Sequence, residues 1–174
     1  MRKWTTPIKR LGACEDAVEW ASQYKTPEKA WINCKRGDWM LWLLGKLAGE
    51  PGSDSRKPLV LAACECARLS LPYVKKGDKR PLKAMEVAEQ WAKGEGNITL
   101  EDVRAAAFYA ASYAASAASS AAYSAASSAY SADSAASSAY SAAYSAYSPV
   151  RQRTLKQCAD IVRKHYPVPP TLPM

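Results

Sequence analysis

Residues 105–148 read AAAFYAASYAASAASSAAYSAASSAYSADSAASSAYSAAYSAYS, and they carry the clearest structural signal in the chain. The stretch contains no Gly or Pro and a single charged residue, Asp133. Alanine has the highest helix propensity of all residues, so this composition favours helix over disorder. Residues 124–132 and 134–142 are identical strings, which indicates a recent local duplication and not a repeat fold.

The tyrosines of this stretch recur with a helical period. Four of them are separated by multiples of seven residues: Tyr109, Tyr123, Tyr130 and Tyr144. The other three lie three or four positions after a position of that seven-residue series: Tyr113, Tyr140 and Tyr147. All seven therefore share one stripe of a helix, and alanine fills the opposite side. The alanine side permits close approach of a neighbouring helix. The tyrosine side presents hydroxyls, and we include Tyr109 among the candidate ligand-binding residues.

The length of the Ala/Ser/Tyr segment limits its shape. A single helix over residues 99–148 would be about 75 Å long at 1.5 Å per residue. A compact domain of this size has a radius of gyration of about 16 Å. We therefore expect either a protruding helix or, preferably, a break into an antiparallel hairpin near residues 131–134, where Ser and Asp side chains compete for backbone hydrogen bonds.

Helix signals recur in the remainder of the chain, whereas strand signals do not. Thr26 precedes Pro27 as an N-cap, Gly37 ends a short helix, and Asp38 caps the next one. Thr99 and Asp102 have the spacing of a capping box. The sequence predicts an all-α, single-domain multi-helix bundle over residues 1–166, with 99–148 as its Ala/Ser/Tyr-rich segment. A Pro-rich, extended C-terminal tail follows over 167–174.

Catalytic and metal-binding motifs are missing from the sequence. It has no phosphate-binding loop, no Gly-x-Ser-x-Gly and no His-Glu-x-x-His, and His165 is its one histidine. The five cysteines form no Cys-x-x-Cys pair and there is no export signal, which is typical of reduced thiols in a cytoplasm. No apolar run approaches the length of a membrane span. We therefore expect a cytoplasmic protein that is not an enzyme and needs no metal or cofactor.

The charge distribution favours an anionic partner. The net charge is +8, and all 24 Lys and Arg residues lie outside residues 105–148. Such a basic shell attracts phosphates, nucleotides or acidic protein surfaces, although it also serves simple solubility. The basic turn at 75–80 lacks interleaved aromatic residues, so we do not expect nucleic acid as a partner.

A candidate ligand site centres on the run Lys35-Arg36-Gly37-Asp38-Trp39. It places two cations just before a predicted helix start, with Trp39 and Trp42 behind them to stack on a base. The alternative is an ordinary capped turn above two core tryptophans. The last helix adds two further cations as candidates, Arg151 and Arg163.

The order of these features resembles the all-helical immunity proteins of bacterial polymorphic toxin systems (the fifth immunity family) and their phage-encoded relatives. The resemblance rests on four segments: Ala13-Cys14-Glu15 with Ala17 and Trp20, residues 36–42 (RGDWMLW), the long Ala-rich middle, and residues 157–164 (QCADIVRK). It implies an α-helical, non-enzymatic protein used in conflict between bacteria or between phage and host. The middle segment departs from the usual pattern, with Ser and Tyr in place of scattered Arg and Trp.

Two functions from different classes remain open at this stage. In the first, the protein sequesters a small anionic nucleotide-like immune signal, as a phage anti-defence sponge, in a pocket between helices or across a homodimer. In the second, it is an immunity protein that inhibits a toxin by direct protein–protein contact. The basic charge slightly favours the first, because inhibitors of nucleases tend to be acidic.

Overall fold

The computed structural model describes residues 4–111, 117–131, 134–144 and 148–173, and within those ranges all regular secondary structure is helical. This confirms the predicted all-α multi-helix fold. The described residues form ten α-helices: α1 Thr6–Arg10, α2 Glu15–Ser22, α3 Pro27–Asn33, α4 Gly37–Leu47, α5 Lys57–Arg68, α6 Arg80–Lys93, α7 Leu100–Ala111, α8 Ala117–Ser127, α9 Ser134–Tyr144 and α10 Ser148–His165. Short 3-10 turns lie at Asp54–Arg56 and Leu71–Tyr73.

Several helix starts follow the local signals in the sequence. The Thr26 hydroxyl accepts a hydrogen bond from the Lys29 amide at 3.3 Å, so it caps α3. At the start of α7, the Thr99 amide donates to the Asp102 carboxylate at 2.8 Å. The Asp102 amide donates in return to the Thr99 hydroxyl at 3.2 Å. The predicted capping box is therefore confirmed, with Asp in the place of the commoner Glu.

The N-terminal third differs from the prediction at Gly37. This part of the chain opens with two helices, α1 and α2, the second of which begins at Glu15. Gly37 does not end α3 but begins α4, and α3 already ends at Asn33. A Cβ on Gly37 would lie 2.4 Å from the Cys158 Cβ and 2.6 Å from the Ala159 amide nitrogen. Gly37 is thus required by the close approach of α4 to α10, a long-range contact that local sequence does not encode.

The Ala/Ser/Tyr segment folds into helices that pack side by side. α8 ends at Ser127 and α9 begins at Ser134, which confirms the break predicted near residues 131–134. Asp133 itself lies outside the described residues. α8 packs against α7 as well as α9, so the described part of the segment forms three helices instead of the single helix or two-helix hairpin that the sequence suggested.

The two faces of this segment have the expected environments. Its inward alanines are fully or almost fully buried: Ala121, Ala125, Ala126, Ala129, Ala135, Ala139, Ala142 and Ala143. The described tyrosines Tyr109, Tyr123, Tyr140 and Tyr144 are exposed, and Tyr130 is half-buried. Tyr113 and Tyr147 lie outside the described residues. The alanine face therefore gives α8 and α9 their close packing, and the tyrosines form part of the surface.

Helix α5 lies at the centre of the bundle. It packs against α6, α8, α9 and α10, and seven of its twelve residues are fully buried. The almost wholly apolar sequence of α5 is the reason for this position, because a helix that is apolar on most sides is stable only when surrounded. None of the helices in the described part of the chain combines the length and the apolar character that crossing a membrane requires.

The C-terminal tail returns to the N-terminal helices. Residues 167–173 contain no regular secondary structure, consistent with their prolines. The indole Nε1 of Trp31 donates a hydrogen bond to the Tyr166 carbonyl at 2.9 Å. This bond joins the end of α10 to α3 and directs the tail across the N-terminal helices.

Candidate functional site: an aromatic cleft

A concave cleft of about 390 Å³ lies between the N-terminal helices, α9 and the C-terminal tail. Its walls are mostly apolar. Five of the six tryptophans of the chain line it, joined by Tyr140 of α9: Trp4, Trp20, Trp31, Trp39 and Trp42. The tail closes one side with Pro169, Pro170 and Leu172.

The helical spacing of the lining residues explains why they converge. On α2, Ala17 and Ala21 lie four residues apart, and Trp20 lies beside them, so they share one face. On α4, Trp39, Trp42 and Leu43 have the i, i+3, i+4 spacing of a single stripe. Small alanines on α2 leave space in front of the large indoles of α4, and the space between them is the cleft.

The aromatic rings of the cleft are in contact with one another. The ring centroids of Trp20 and Trp39 are 5.9 Å apart with an interplanar angle of 56°. Trp20 also contacts Tyr24 at a centroid distance of 4.9 Å. The indole Nε1 of Trp4 donates to the Tyr24 carbonyl at 2.9 Å. These tilted contacts are favourable aromatic geometries, and they hold the rings in place.

Arg36 and Asp38 form a tight ion pair at one edge of the cleft. Arg36 Nε donates to Asp38 Oδ1 at 2.9 Å, and Arg36 Nη2 donates to Oδ2 at 2.6 Å. The predicted N-cap role of Asp38 is therefore wrong: α4 begins at Gly37, and the carboxylate is held by Arg36 instead of the helix amides. The pKa of Arg36 is raised, chiefly by its hydrogen bond to Asp38. The guanidinium carbon of Arg36 lies 4.2 Å from the centre of the Trp39 ring.

Arg163 uses its guanidinium within the protein. Its Nη1 donates to the carbonyls of Trp31 at 3.0 Å and Cys34 at 2.9 Å, and its Nη2 contacts Asp160 at 2.7 Å. These carbonyls are at the end of α3, where a helix leaves its last carbonyls without partners inside the helix. Arg163 does not line the cleft, although it holds two residues that do, Trp31 and Cys34.

The other predicted site residues are distributed between the cleft and the surface. Trp39, Trp42 and Asp38 line the cleft. Lys35 is exposed next to the lining residue Cys34, and Tyr109 is exposed on α7 away from the cleft. Arg151 lies against Tyr144, with its guanidinium carbon 4.0 Å from the ring centre.

Sequence reasoning missed several residues of the cleft. Trp4, Trp20, Trp31, Tyr140 and the tail prolines were not among the predicted site residues, although all of them line it. The signal that could have found them is the concentration of five tryptophans in residues 4–42 around a short, alanine-faced helix.

Two cysteines of the cleft differ in accessibility. Cys14 is exposed, whereas Cys34 is buried. Burial raises the pKa of the Cys34 thiol to about 11. Cys34 is thus protonated and inert at neutral pH, because the thiolate is the reactive form. Cys14 is the accessible thiol of the cleft.

Most of the chain matches a known protein family. A family model described as Imm-5 like putative immunity protein matches residues 50–164, well over half of the chain. The chain belongs to this family. The match confirms the resemblance to immunity proteins that the sequence suggested. No curated protein and no solved structure matches the chain significantly.

The cleft of this immunity-family protein lies mostly outside the matched span. Of the lining residues described, Ser137 and Tyr140 fall within residues 50–164, and the others belong to residues 4–43 or to the tail. The matched span supplies the bundle, including α5 and the alanine-rich helices. The flanking segments supply the tryptophans.

Proposed function

We propose that this protein acts by binding, without catalysis, and that it sequesters a small nucleotide-like anion whose base stacks in the aromatic cleft. The convergence of five indoles on one concave cavity of about 390 Å³ supports this proposal. Stacking of a base on an aromatic side chain contributes about 1–3 kcal/mol. Pockets for small ligands are typically concave and apolar with a few polar groups, as this one is.

The charges around the cleft suit a ligand with an apolar ring and an anionic group. Lys9 and Arg10 are exposed on α1, between the lining residues Ile8 and Gly12 in the chain. Lys35 is exposed beside Cys34. With a net charge of +8, the protein attracts anions toward this rim, while the apolar walls receive the ring.

Calorimetry with adenine nucleotides tests the proposal. AMP, ADP-ribose and cyclic di-AMP are each titrated into the wild-type chain and into Trp39→Ala. Tyr73→Ala is the matched control, because Tyr73 is an exposed aromatic residue away from the cleft. We expect binding of at least one nucleotide to the wild type and to the control, and a loss of about five- to hundredfold in affinity in Trp39→Ala, as the loss of one stacking contact predicts.

Two results would contradict the proposal. One is the absence of heat with all three nucleotides. The other is equal affinity in wild type and Trp39→Ala, with circular dichroism showing that both are folded, because the ligand would then lie elsewhere.

Family membership favours a second candidate, inhibition of a toxin by direct contact. The matched family is one of immunity proteins, and tryptophans in a concave site are the residues that most often dominate protein–protein binding energy. In this case the cleft receives an apolar or aromatic side chain of the toxin. The test is co-purification with the product of a toxin gene, if one lies beside the gene for this protein. Co-purification that Trp39→Ala abolishes and Tyr73→Ala does not would support this function, most strongly if no nucleotide binds.

Both candidates place the protein in the cytoplasm of the bacterium or of the infected cell. The five cysteines are free thiols, which a reducing compartment preserves. The cleft is formed by one chain, so neither candidate requires a homodimer. In conflict between phage and host, a protein of the first kind would lower the free concentration of an immune signal.

A further inference from the structure

A polar corner adjoins the aromatic cleft at α9. Tyr140 lines the cleft, and its ring centroid lies 4.4 Å from that of Tyr144, one turn further along the helix. The guanidinium carbon of Arg151 lies 4.0 Å from the centre of the Tyr144 ring. The three side chains thus form a continuous series from the cleft to α10.

The tyrosine pair of this corner is organised by a hydrogen bond. The pKa of Tyr140 is raised, chiefly because its hydroxyl bonds to Tyr144, and the nearby charge of Arg151 opposes the increase. Both tyrosines are about half exposed.

Arg151 differs from the other arginines near the cleft. The charge of Arg36 is neutralised by Asp38, and the donors of Arg163 are taken by the end of α3. In Arg151, Nε is buried without a hydrogen-bond partner among the described residues. A buried donor without a partner is costly, and such a group is often completed by a ligand. Of these three arginines, Arg151 is therefore the one with a side-chain donor that has no partner among the described residues.

We infer that Arg151, with the hydroxyls of Tyr140 and Tyr144, forms the subsite that binds the phosphate of a nucleotide whose base occupies the aromatic cleft. This inference rests on the proposed function. The phosphate is the group that distinguishes a nucleotide from its nucleoside. This corner therefore determines whether the protein prefers the nucleotide or its nucleoside.

The chemistry of the three residues suits a phosphate. A guanidinium stacked on an aromatic ring is held in one plane and directs its N–H groups outward, which matches the oxygens of a phosphate. The bond between the two tyrosines uses one hydroxyl proton, and the hydroxyl whose proton is not used donates to a remaining phosphate oxygen. Asp38, the acid nearest in the cleft wall, is neutralised by Arg36, so it does not repel the phosphate strongly.

A pair of ligands separates this inference from the proposed function. Adenosine and AMP are titrated into the wild type, Arg151→Gln and Arg151→Lys by calorimetry, with ADP-ribose and cyclic di-AMP as further phosphorylated probes. Arg104→Gln is the matched control, because Arg104 also lies over a tyrosine ring but outside the cleft. Its guanidinium carbon is 5.3 Å from the centre of the Tyr130 ring.

We expect Arg151→Gln to weaken binding of the phosphorylated probes by about ten- to hundredfold, because the substitution removes one hydrogen bond to a charged group. Affinity for adenosine should stay unchanged. Arg151→Lys should recover part of the loss, because it keeps the charge but not the planar donors. Arg104→Gln should bind every probe as the wild type does.

The outcomes are distinguishable. If the wild type binds the nucleotides and Arg151→Gln, folded by circular dichroism, binds them equally well, the subsite is refuted and the proposed function stands. A parallel loss of adenosine and nucleotide affinity in Arg151→Gln also refutes it, because the residue would then support the base site. If the wild type binds none of the probes, the proposed function fails and the subsite with it.

Discussion

At the scale of single residues, the arginines are the side chains whose burial and hydrogen-bond partners local sequence predicts least well. Arg56 is almost fully buried, and it donates to the carbonyls of Gly49, Glu50 and Ser128 at 3.1 Å. In the sequence it is one more cation in a polar loop. Arg163 was predicted as a ligand residue, and the structure places its donors on the end of α3. The contacts of an arginine depend on segments that are distant in the sequence, so local sequence does not predict them. A ligand contact by Arg163 stays a prediction.

The structural role of Arg163 predicts a loss of stability in Arg163→Met. The substitution removes the Arg163 donor from the Cys34 carbonyl and from the Trp31 carbonyl, which keeps its bond from the Cys34 amide. The free energy of unfolding should therefore fall by about 1.5–3 kcal/mol. Urea denaturation measures it. Lys156→Met is the control: it removes a cation from the same helix whose partner, Asp160, is solvent-exposed, and it should cost less than about 1 kcal/mol. Equal losses in the two variants would contradict the role assigned to Arg163.

Gly37 gives a second prediction at this scale. In Gly37→Ala the new methyl group would meet the backbone of α10, which cannot move as a flexible side chain can. We expect the free energy of unfolding to fall by about 1–3 kcal/mol, the usual cost of overpacking. Gln90→Ala, at an exposed position of α6, should change stability by less than about 0.5 kcal/mol. An alanine variant as stable as the wild type in urea denaturation would show that α4 and α10 can separate at no cost.

At the scale of helices, starts and ends could be predicted where the determinant is local. The capping box of α7, the Thr26 cap of α3 and the stop of α6 at Gly94, which has a φ of +69°, were all encoded within a few residues. The alanine and tyrosine faces followed from periodicity alone. The start of α4 was not predictable, because Gly37 and Asp38 resemble a stop and a cap until the positions of α10 and Arg36 are known.

The docking of α10 on α5 predicts a response to acid. Glu65 of α5 accepts hydrogen bonds from Lys164 and His165 of α10, each at 3.0 Å. Burial raises the pKa of Glu65, but the bonds to His165 and Lys164 outweigh it, and the net shift is downward from 4.5. The ionised form is therefore the one that folding stabilises. Its contribution is present above pH 4.5 and is lost as the pH falls through the lower folded-state pKa.

We therefore expect the free energy of unfolding of the wild type to decline below pH 4.5 more steeply than that of Glu65→Gln. The difference should be about 0.2–1 kcal/mol, because this pair is partly exposed. Urea denaturation at several pH values measures both slopes. Glu95→Gln, at an exposed loop position, should follow the wild type. Identical acid slopes in all three proteins would show that Glu65 does not stabilise the docking.

At the scale of the whole molecule, the fold class and the candidate site differ in how well the sequence predicts them. Helix propensity and the scarcity of strand signals predicted the all-α bundle, because those signals are local. The cleft joins α1 through α4, two residues of α9 and a tail more than a hundred positions away. Trp39, Trp42 and Asp38 were identified because they adjoin a charged motif. Trp4, Trp20 and Tyr140 belong to the site solely through the packing of distant segments.

The central claim is that a ligand occupies the aromatic cleft, and the reactivity of Cys14 tests it most directly. Cys14 is exposed and lines the cleft, whereas the other four cysteines are buried. A thiol reagent applied to the native protein at pH 8 should therefore modify one thiol rapidly and the other four only on unfolding. Saturation with the tightest-binding nucleotide should slow that modification by about tenfold or more. This is the expected change because a thiol that is covered in about nine-tenths of the molecules reacts only in the remaining tenth. A labelling rate for Cys14 that is unchanged when calorimetry shows the protein saturated would place the ligand elsewhere and contradict the account.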